Sequence, residues 1–250
     1  MTPWFWVALF VFFSFISEAM TGFGSIVIAL SLGALFLPIP ELLLVLVPLS
    51  VCMSGFVVAR NWKHIHWPTI VRLLLPAMAL GTLVGWLFRS HVNPVVAKFL
   101  FGLLIVWFAS RELYKLIRKP ALDAPRPAWL TRLLTFFAGI THGLFASGGP
   151  LLVYALAGNQ LEKAKLRATL VFIWFSLNLG LTIASILDRT IVPALSKIAL
   201  LIPVIALSWF IGERLHSRVD EVQFRKVLYA LLVFVGILLW VPAGLQLIGA

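Results

Sequence analysis

Glu18, His142 and two serines set beside glycines, Ser25 and Ser147, are the residues here with the chemistry to bind or move something. Glu18 and His142 lie inside long apolar stretches, where an ionisable group is costly and usually faces a cavity or a partner. Each stands six residues before a glycine, Gly24 and Gly148, in the interruptions Gly22-Phe23-Gly24-Ser25 and Ser147-Gly148-Gly149-Pro150. A helix that begins at such an interruption presents free N–H groups and the positive end of its dipole. That is a ready anion site. Ser25 and Ser147 can add hydroxyl donors, and Pro150 suits a first helical turn, where its missing N–H is not needed. Glu18 and His142 could carry a coupled proton or bind the substrate directly, since histidine titrates near neutrality.

Plainer roles compete with these. Glycines allow close helix packing in membranes, Glu18 could pair with a basic residue, and His142 could bond a backbone carbonyl. Asn178 either lines the site or hydrogen-bonds a neighbouring helix; Ser50 is a further polar candidate. Arg60 and Arg167 stand at segment ends, where long side chains snorkel, and Arg72 lies one turn further in. His64-x-His66 has metal-ligand spacing but sits among Trp and Lys with no carboxylate, so no metal site is expected. No cofactor is expected either. The ten tryptophans read mostly as interfacial anchors.

The chain that must position these groups is a membrane chain. Of its 250 residues 62% are hydrophobic and 12% charged, against about 45–50% and about 25% in a soluble domain. Its mean hydropathy is +1.05. A soluble enzyme, a disordered chain and a secreted module are excluded, because no soluble fold of this size could hide so much apolar surface. The net charge of +11 comes from basic residues that punctuate apolar helices, so it reads as positive-inside anchoring and not as nucleic-acid binding. The single cysteine, Cys52, lies in an apolar run, which excludes disulfides. Met1 to Ser14 carries no Lys or Arg and reads as the first membrane element, not a signal peptide.

Eight apolar runs can be read: 4–37, 42–59, 68–88, 95–117, 129–158, 168–187, 193–211 and 227–248. Between the fourth and fifth, Arg118 to Pro127 holds three prolines and four charges in ten residues. Two four-segment halves are therefore expected within one membrane domain: 1–119, a linker at 120–127, and 128–250. The halves echo each other. Phe12-Phe13 leading to Gly24 parallels Phe136-Phe137 leading to Gly148 at an offset of 124, and Lys98-Phe99-Leu100 parallels Lys226-Val227-Leu228 at 128. Such internal duplication is common among secondary transporters.

The first run of each half is interrupted, and the first is too long for a simple span: 34 residues, about 50 Å at 1.5 Å per residue, against a core of about 30 Å. Charge counting suggests its course. If all eight runs crossed, the two faces would hold 11 and 9 of the Lys and Arg residues. If each interrupted element returns to its own face, the count becomes 16 against 4, the four being Arg89, Lys98, Arg189 and Lys197. The positive-inside rule prefers the second arrangement. Three crossings per half then turn the second half upside down, giving an inverted repeat.

The stretch Gly139-Ile140-Thr141-His142-Gly143-Leu144-Phe145-Ala146-Ser147-Gly148-Gly149-Pro150, followed by Leu166-Arg167-Ala168-Thr169 and Asn178, resembles the TauE/SafE family of sulfite and organosulfonate exporters. So do Gly22-x-Gly24, the basic loop Arg60 to Trp67, and the following Gly81 and Gly85. The likeness covers nearly the whole chain. Two places depart from the family pattern: Gly22-Phe23-Gly24-Ser25 is a shorter glycine run, and Val47-Pro48-Leu49-Ser50 stands where many members carry Gly-Thr-Ser. The resemblance implies a secondary carrier of small sulfur-containing anions in the inner membrane, without a nucleotide-binding subunit.

The expected protein is thus an all-α polytopic membrane transporter. It would hold a small anion between the two breaks by Gly22, Phe23, Gly24, Ser25, Ser147, Gly148, Gly149, Pro150 and Asn178, with Glu18 and His142 coupling a proton or binding. Its partners would be that anion, the lipid bilayer and possible further copies of itself. Two alternatives are an anion channel and an intramembrane hydrolase with Ser147 as nucleophile and His142 as base. Against the hydrolase, a helix would set those two residues about 140° apart at 100° per residue, and no orienting carboxylate is evident in sequence.

Overall fold

The computed structural model describes residues 3–21, 24–118, 127–156, 162–215 and 221–249, and is helical throughout, without strands among the described residues. Helices are what the composition demands, since lipid cannot satisfy an exposed N–H or C=O and a helix pairs them within itself. Glycine and proline mark several of the places where a helix starts, stops or bends. The first apolar run becomes two helices, α1 (Pro3–Thr21) and α2 (Ser25–Gly33). Three longer helices follow: α3 (Ile39–Asn61), α4 (Trp67–Arg89) and α5 (Pro94–Arg118). The second half holds α6 (Ala128–Phe145), the short α7 (Gly149–Ala155), α8 (Lys163–Leu187), α9 (Leu195–Leu215) and α10 (Glu221–Leu247).

Among the described residues seven helices, not eight, are long and apolar enough to cross a membrane. The fifth apolar run supplies none of them. It divides into the 18 residues of α6, which carry Arg132 and His142, and the seven of α7. The expected linker lies almost wholly outside the described residues, as do Gly22 and Phe23.

Local chemistry accounts for the irregularities. Pro40 and Glu41 open α3, the proline needing no N–H partner there and the carboxylate meeting the positive helix end. In α4 a π-turn occupies Ile70–Leu74, just before Pro76. Proline cannot donate to the carbonyl four residues back and its ring collides with it, and a widened turn is one way to release that clash.

The principal helix pairs are α5 with α10, α4 with α6, α3 with α8, and α1 with α9. Every pair joins one half to the other. Exchanging the halves, α1 for α6, α3 for α8, α4 for α9 and α5 for α10, maps the set of pairs onto itself.

Small residues let the backbones approach. Gly81 and Gly85 on α4 face Gly139 and Gly143 on α6, and a Cβ at Gly139 would lie 2.9 Å from the Gly81 Cα. These are two facing small-xxx-small motifs. On α9, Gly212 meets α1, where an added Cβ would come 2.6 Å from the Ala19 Cβ. Where α5 meets α10, a Cβ at Gly102 would come 2.7 Å from the Trp240 backbone nitrogen.

Long-range contacts fix which helix ends lie together. Lys197, at the start of α9, donates to Glu41 at 2.9 Å and stands 4.2 Å from the Trp4 ring. The starts of α1, α3 and α9 therefore share one end of the bundle. After α2 the chain comes back beside the beginning of α1, with Phe36 stacked on Trp6 at 6.5 Å and tilted against Phe10 at 5.9 Å. Tyr154, near the end of α7, instead meets Trp107 at 5.5 Å and Arg111 at 4.6 Å, on the later half of α5. Outward-facing Leu80, Leu83, Leu87 and Phe88 on α4 and Leu200, Leu207 and Phe210 on α9 leave apolar side chains where lipid would lie.

Candidate functional site

The two breaks converge on one cavity. Between α1 and α2, Gly24 takes φ 102°, a left-handed conformation that favours glycine. Its carbonyl accepts from Ile28 N at 2.9 Å, so α2 starts at once and leaves the amides of Ser25, Ile26 and Val27 without helical acceptors. Between α6 and α7 the turn is made by a different residue from the one expected. Ala146, a non-glycine, adopts φ 49°, its N–H donating to the His142 carbonyl at 2.6 Å.

Gly148 has ordinary helical angles and is needed for space, since a Cβ there would stand 2.9 Å from the His142 Cβ. Gly149 already belongs to α7, and Pro150 lies in its first turn. The second break is thus Ala146-Ser147-Gly148, one residue earlier than the glycines suggested.

The cavity is lined by Glu18, Gly24, Ser25, His142, Ser147 and Asn178, with Ile26, Val27, Ala146 and Gly149 completing the breaks and Ser50 and Trp174 added from α3 and α8. Gly148 and Pro150 are not on its wall. Its volume is about 30 Å³; at roughly 10–15 Å³ for one water, that admits about two water molecules.

Its polar side chains are deeply buried: His142 and Asn178 at 0% and 1% exposure, Glu18 at 5% and Trp174 at 7%. Several polar atoms there lack a hydrogen-bond partner: Glu18 Oε2, both imidazole nitrogens of His142, Trp174 Nε1 and Asn178 Oδ1. A buried polar group without a partner costs about 1–3 kcal/mol. Such groups are normally paired, so this concentration around one small cavity calls for a polar occupant.

The remaining contacts hold these groups in place. Asn178 Nδ2 donates to Ser50 Oγ at 3.1 Å, tying α8 to α3 across 128 residues of sequence. Ser25 and Asn178 are polar neighbours of Glu18 and His142 respectively. Trp174 precedes Asn178 by one helical turn, so both project from one face of α8. Its indole stacks on the His142 ring.

Several expectations change here. Arg167 does not snorkel: it is half-buried and donates to the Ala19 carbonyl at 2.6 Å, so that its charge acts on Glu18. Trp174 is a cavity residue and not an interfacial anchor. Ser147 and His142 share a wall because the left-handed turn at Ala146 breaks the helical geometry that would have set them apart. A carboxylate, Glu18, also reaches that wall. Even so, no nucleophile–base pair is assembled, for the Ser147 hydroxyl donates to the Phe145 carbonyl at 3.0 Å and neither His142 nitrogen has a partner.

The remaining candidates lie elsewhere. Arg60 stands over Phe56 and Trp209, at 5.5 and 5.4 Å from the ring centres, while His66 pairs through Nδ1 with Thr69 Oγ1 at 2.7 Å. Among the described residues no group of three His, Cys, Asp or Glu side chains is placed to hold a metal.

The sequence model of the family described as "Sulfite exporter TauE/SafE" matches residues 7–239. A probable inner membrane transporter protein, TsaS, of Comamonas testosteroni is 25% identical over 197 residues, covering 76% of this chain and 77% of that protein. A probable sulfite/organosulfonate exporter, TauE, of Cupriavidus necator is 22% identical over 233 residues, covering 90% of this chain and 89% of that one. No solved structure matches.

Proposed function

The chain belongs to the TauE/SafE family and is a multi-pass inner-membrane transporter; from that premise we propose that it exports a small sulfur oxyanion, sulfite or an organosulfonate, held in the cavity between the two helix breaks. The observation that carries the proposal is the set of buried, unpartnered polar groups on that cavity. The indole N–H of Trp174, the imidazole of His142, the Ser25 hydroxyl and the free amides at the start of α2 are donors suited to oxyanion oxygens. Glu18 and Asn178 Oδ1 are acceptors that could meet a protonated oxygen or a coupled proton.

Transport would proceed by alternating access. The cavity is too small for a four-atom oxyanion as it stands, so the walls must part to admit one. The exchange of helix pairs on swapping the halves supports a duplicated architecture. The opposite ends to which the α1–α2 and α6–α7 hairpins return support an inverted one. The same contacts gather Lys197 with Glu41 and set Arg89 near Asp188, as expected if the four minority cations share the outer face. In such repeats the site lies near the midplane and one bundle rocks against the other. An inside-negative potential favours anion export by about 2.3 kcal/mol per charge per 100 mV, so export needs no coupled ion, whereas import would need the proton that Glu18 or His142 could carry.

Counterflow in proteoliposomes tests the proposal. Labelled sulfite should accumulate transiently against unlabelled internal sulfite, and sulfonates should compete. A folded protein that exchanges no sulfur oxyanion would overturn the substrate assignment, and flux without trans-stimulation would mark a channel.

A further inference from the structure

Beside the central site the structure holds a second cavity, about 170 Å³, where the starts of α3 and α5 meet the end of α6. Two of its lining residues are cations, Arg89 and Lys98, and most of the others are apolar, among them Ile39, Val92, Leu144 and Phe145. Both cations belong to the four that charge counting assigns to the face opposite the basic loops. Asp188 lies close enough to act on Arg89, yet that carboxylate is engaged by Thr190, whose N–H and hydroxyl donate to it at 3.0 and 2.6 Å.

The position of this cavity gives it meaning. Leu144 and Phe145 form its wall, while the next residue along the chain, Ala146, lines the central cavity. Phe145 is buried and rests on Phe101, with ring centres 5.1 Å apart. A single turn of chain therefore separates the two spaces.

Building on the transporter assignment, we propose that this cavity is a vestibule for an organic anion, a sulfonate bearing a short carbon chain, on its way from the central site to the outer face. Arg89 and Lys98 meet the sulfonate, and the apolar walls receive the chain. A bare inorganic oxyanion would use the cations and leave those walls uncovered. A phospholipid offers the same chemistry, an anionic head on an apolar body. The substrate is the better occupant because the cavity backs directly onto the central one. A neighbouring cavity of about 270 Å³ shares Lys98 but is lined by Leu238, Leu239 and Pro242, away from the central site.

Saturation binding of labelled propanesulfonate to the purified full chain in phosphatidylcholine nanodiscs provides the test. Two sites are expected. The double variant Arg89→Gln/Lys98→Gln should lose one, weakened at least about tenfold, as follows from losing hydrogen bonds to charged groups worth about 1.5–3 kcal/mol. Val92→Trp, which fills the cavity while leaving both cations in the chain, should lose the same site, and both variants should keep the other. One site that neither variant alters would overturn the vestibule and leave the transporter assignment standing. No bound sulfonate at all would remove the vestibule and the sulfonate assignment together. Repeating the binding with phosphatidylglycerol present separates the sources: if the second site vanishes and wild-type protein, but not the double variant, retains that lipid, the occupant is lipid and the proposal is wrong.

Discussion

The indole of Trp174 stacks on the imidazole of His142, their ring centres 5.7 Å apart and their planes inclined by 22°. Neither the indole N–H nor either imidazole nitrogen is spent on a hydrogen bond. Apolar ring contact thus fixes the orientation of two polar groups and leaves their hydrogen-bonding capacity for an occupant of the cavity.

Trp174→Phe keeps an aromatic ring beside His142 and removes the donor. Its half-saturating sulfite concentration in counterflow should rise about tenfold, the weight of one hydrogen bond to a charged group, with thermal unfolding little changed. Trp174→Ala should lose both affinity and stability. Equal affinity in Trp174→Phe and wild type would take the indole N–H out of recognition.

Glu18 and His142 each stand six residues before a glycine of the break, and both are buried titratable groups on the cavity. If they couple a proton, the dependence of sulfite uptake on an imposed pH gradient should weaken in Glu18→Gln and vanish when His142→Asn is added, while exchange at equal pH persists. A gradient response unchanged in the double variant would leave both residues with binding roles or none.

The glycines of α4 and α6 should be intolerant in a way that Gly180 is not. A methyl at Gly139 meets the α4 backbone, so Gly139→Ala should cost about 1–3 kcal/mol by overpacking. Gly180 has nothing within 4 Å of an added Cβ. Gly180→Ala should therefore stabilise α8 by about 0.5–1 kcal/mol, the ordinary difference in a helix interior. Thermal denaturation followed by size-exclusion chromatography reads both.

The charge count predicts the membrane sidedness, which reporter fusions can read. Reporters at Lys119 and Gln160 should fall on one face and a reporter at Arg189 on the other. Lys119 and Gln160 on opposite faces would mean that the α6–α7 element crosses the membrane, and the inverted repeat would be lost.

Much of this molecule is legible in its sequence because lipid leaves the chain few options. Six of the eight apolar runs correspond to one long helix each among the described residues, while the first and fifth each divide in two close to their glycines and serines. Residues whose role depends on long-range contact were not legible. Trp174 has the residue type of an interfacial anchor, and only its placement opposite α6 makes it a site residue; its spacing of four from Asn178 was the available signal. Arg167 sits at a segment end, where snorkelling is the local preference, and the buried Ala19 carbonyl near the C-terminus of α1 captures it instead. The turn at Ala146 defeats sequence reasoning because alanine rarely takes a positive φ, and the two glycines that follow it look better suited to the bend.

The cross-half pairing of helices also bears on how the protein is made. Ala19 on α1 finds its partner Gly212 on α9 only after 193 further residues have been synthesised. At about 5–20 residues per second, that is an interval of roughly 10–40 s. Throughout it α1, with Glu18 on it, must wait in or beside the insertion machinery with its packing face unmatched. Neither half can complete its packing alone, so the nascent chain stays dependent on shelter until translation is nearly finished, and truncation anywhere before α9 should yield a product for the quality-control proteases instead of a half-transporter.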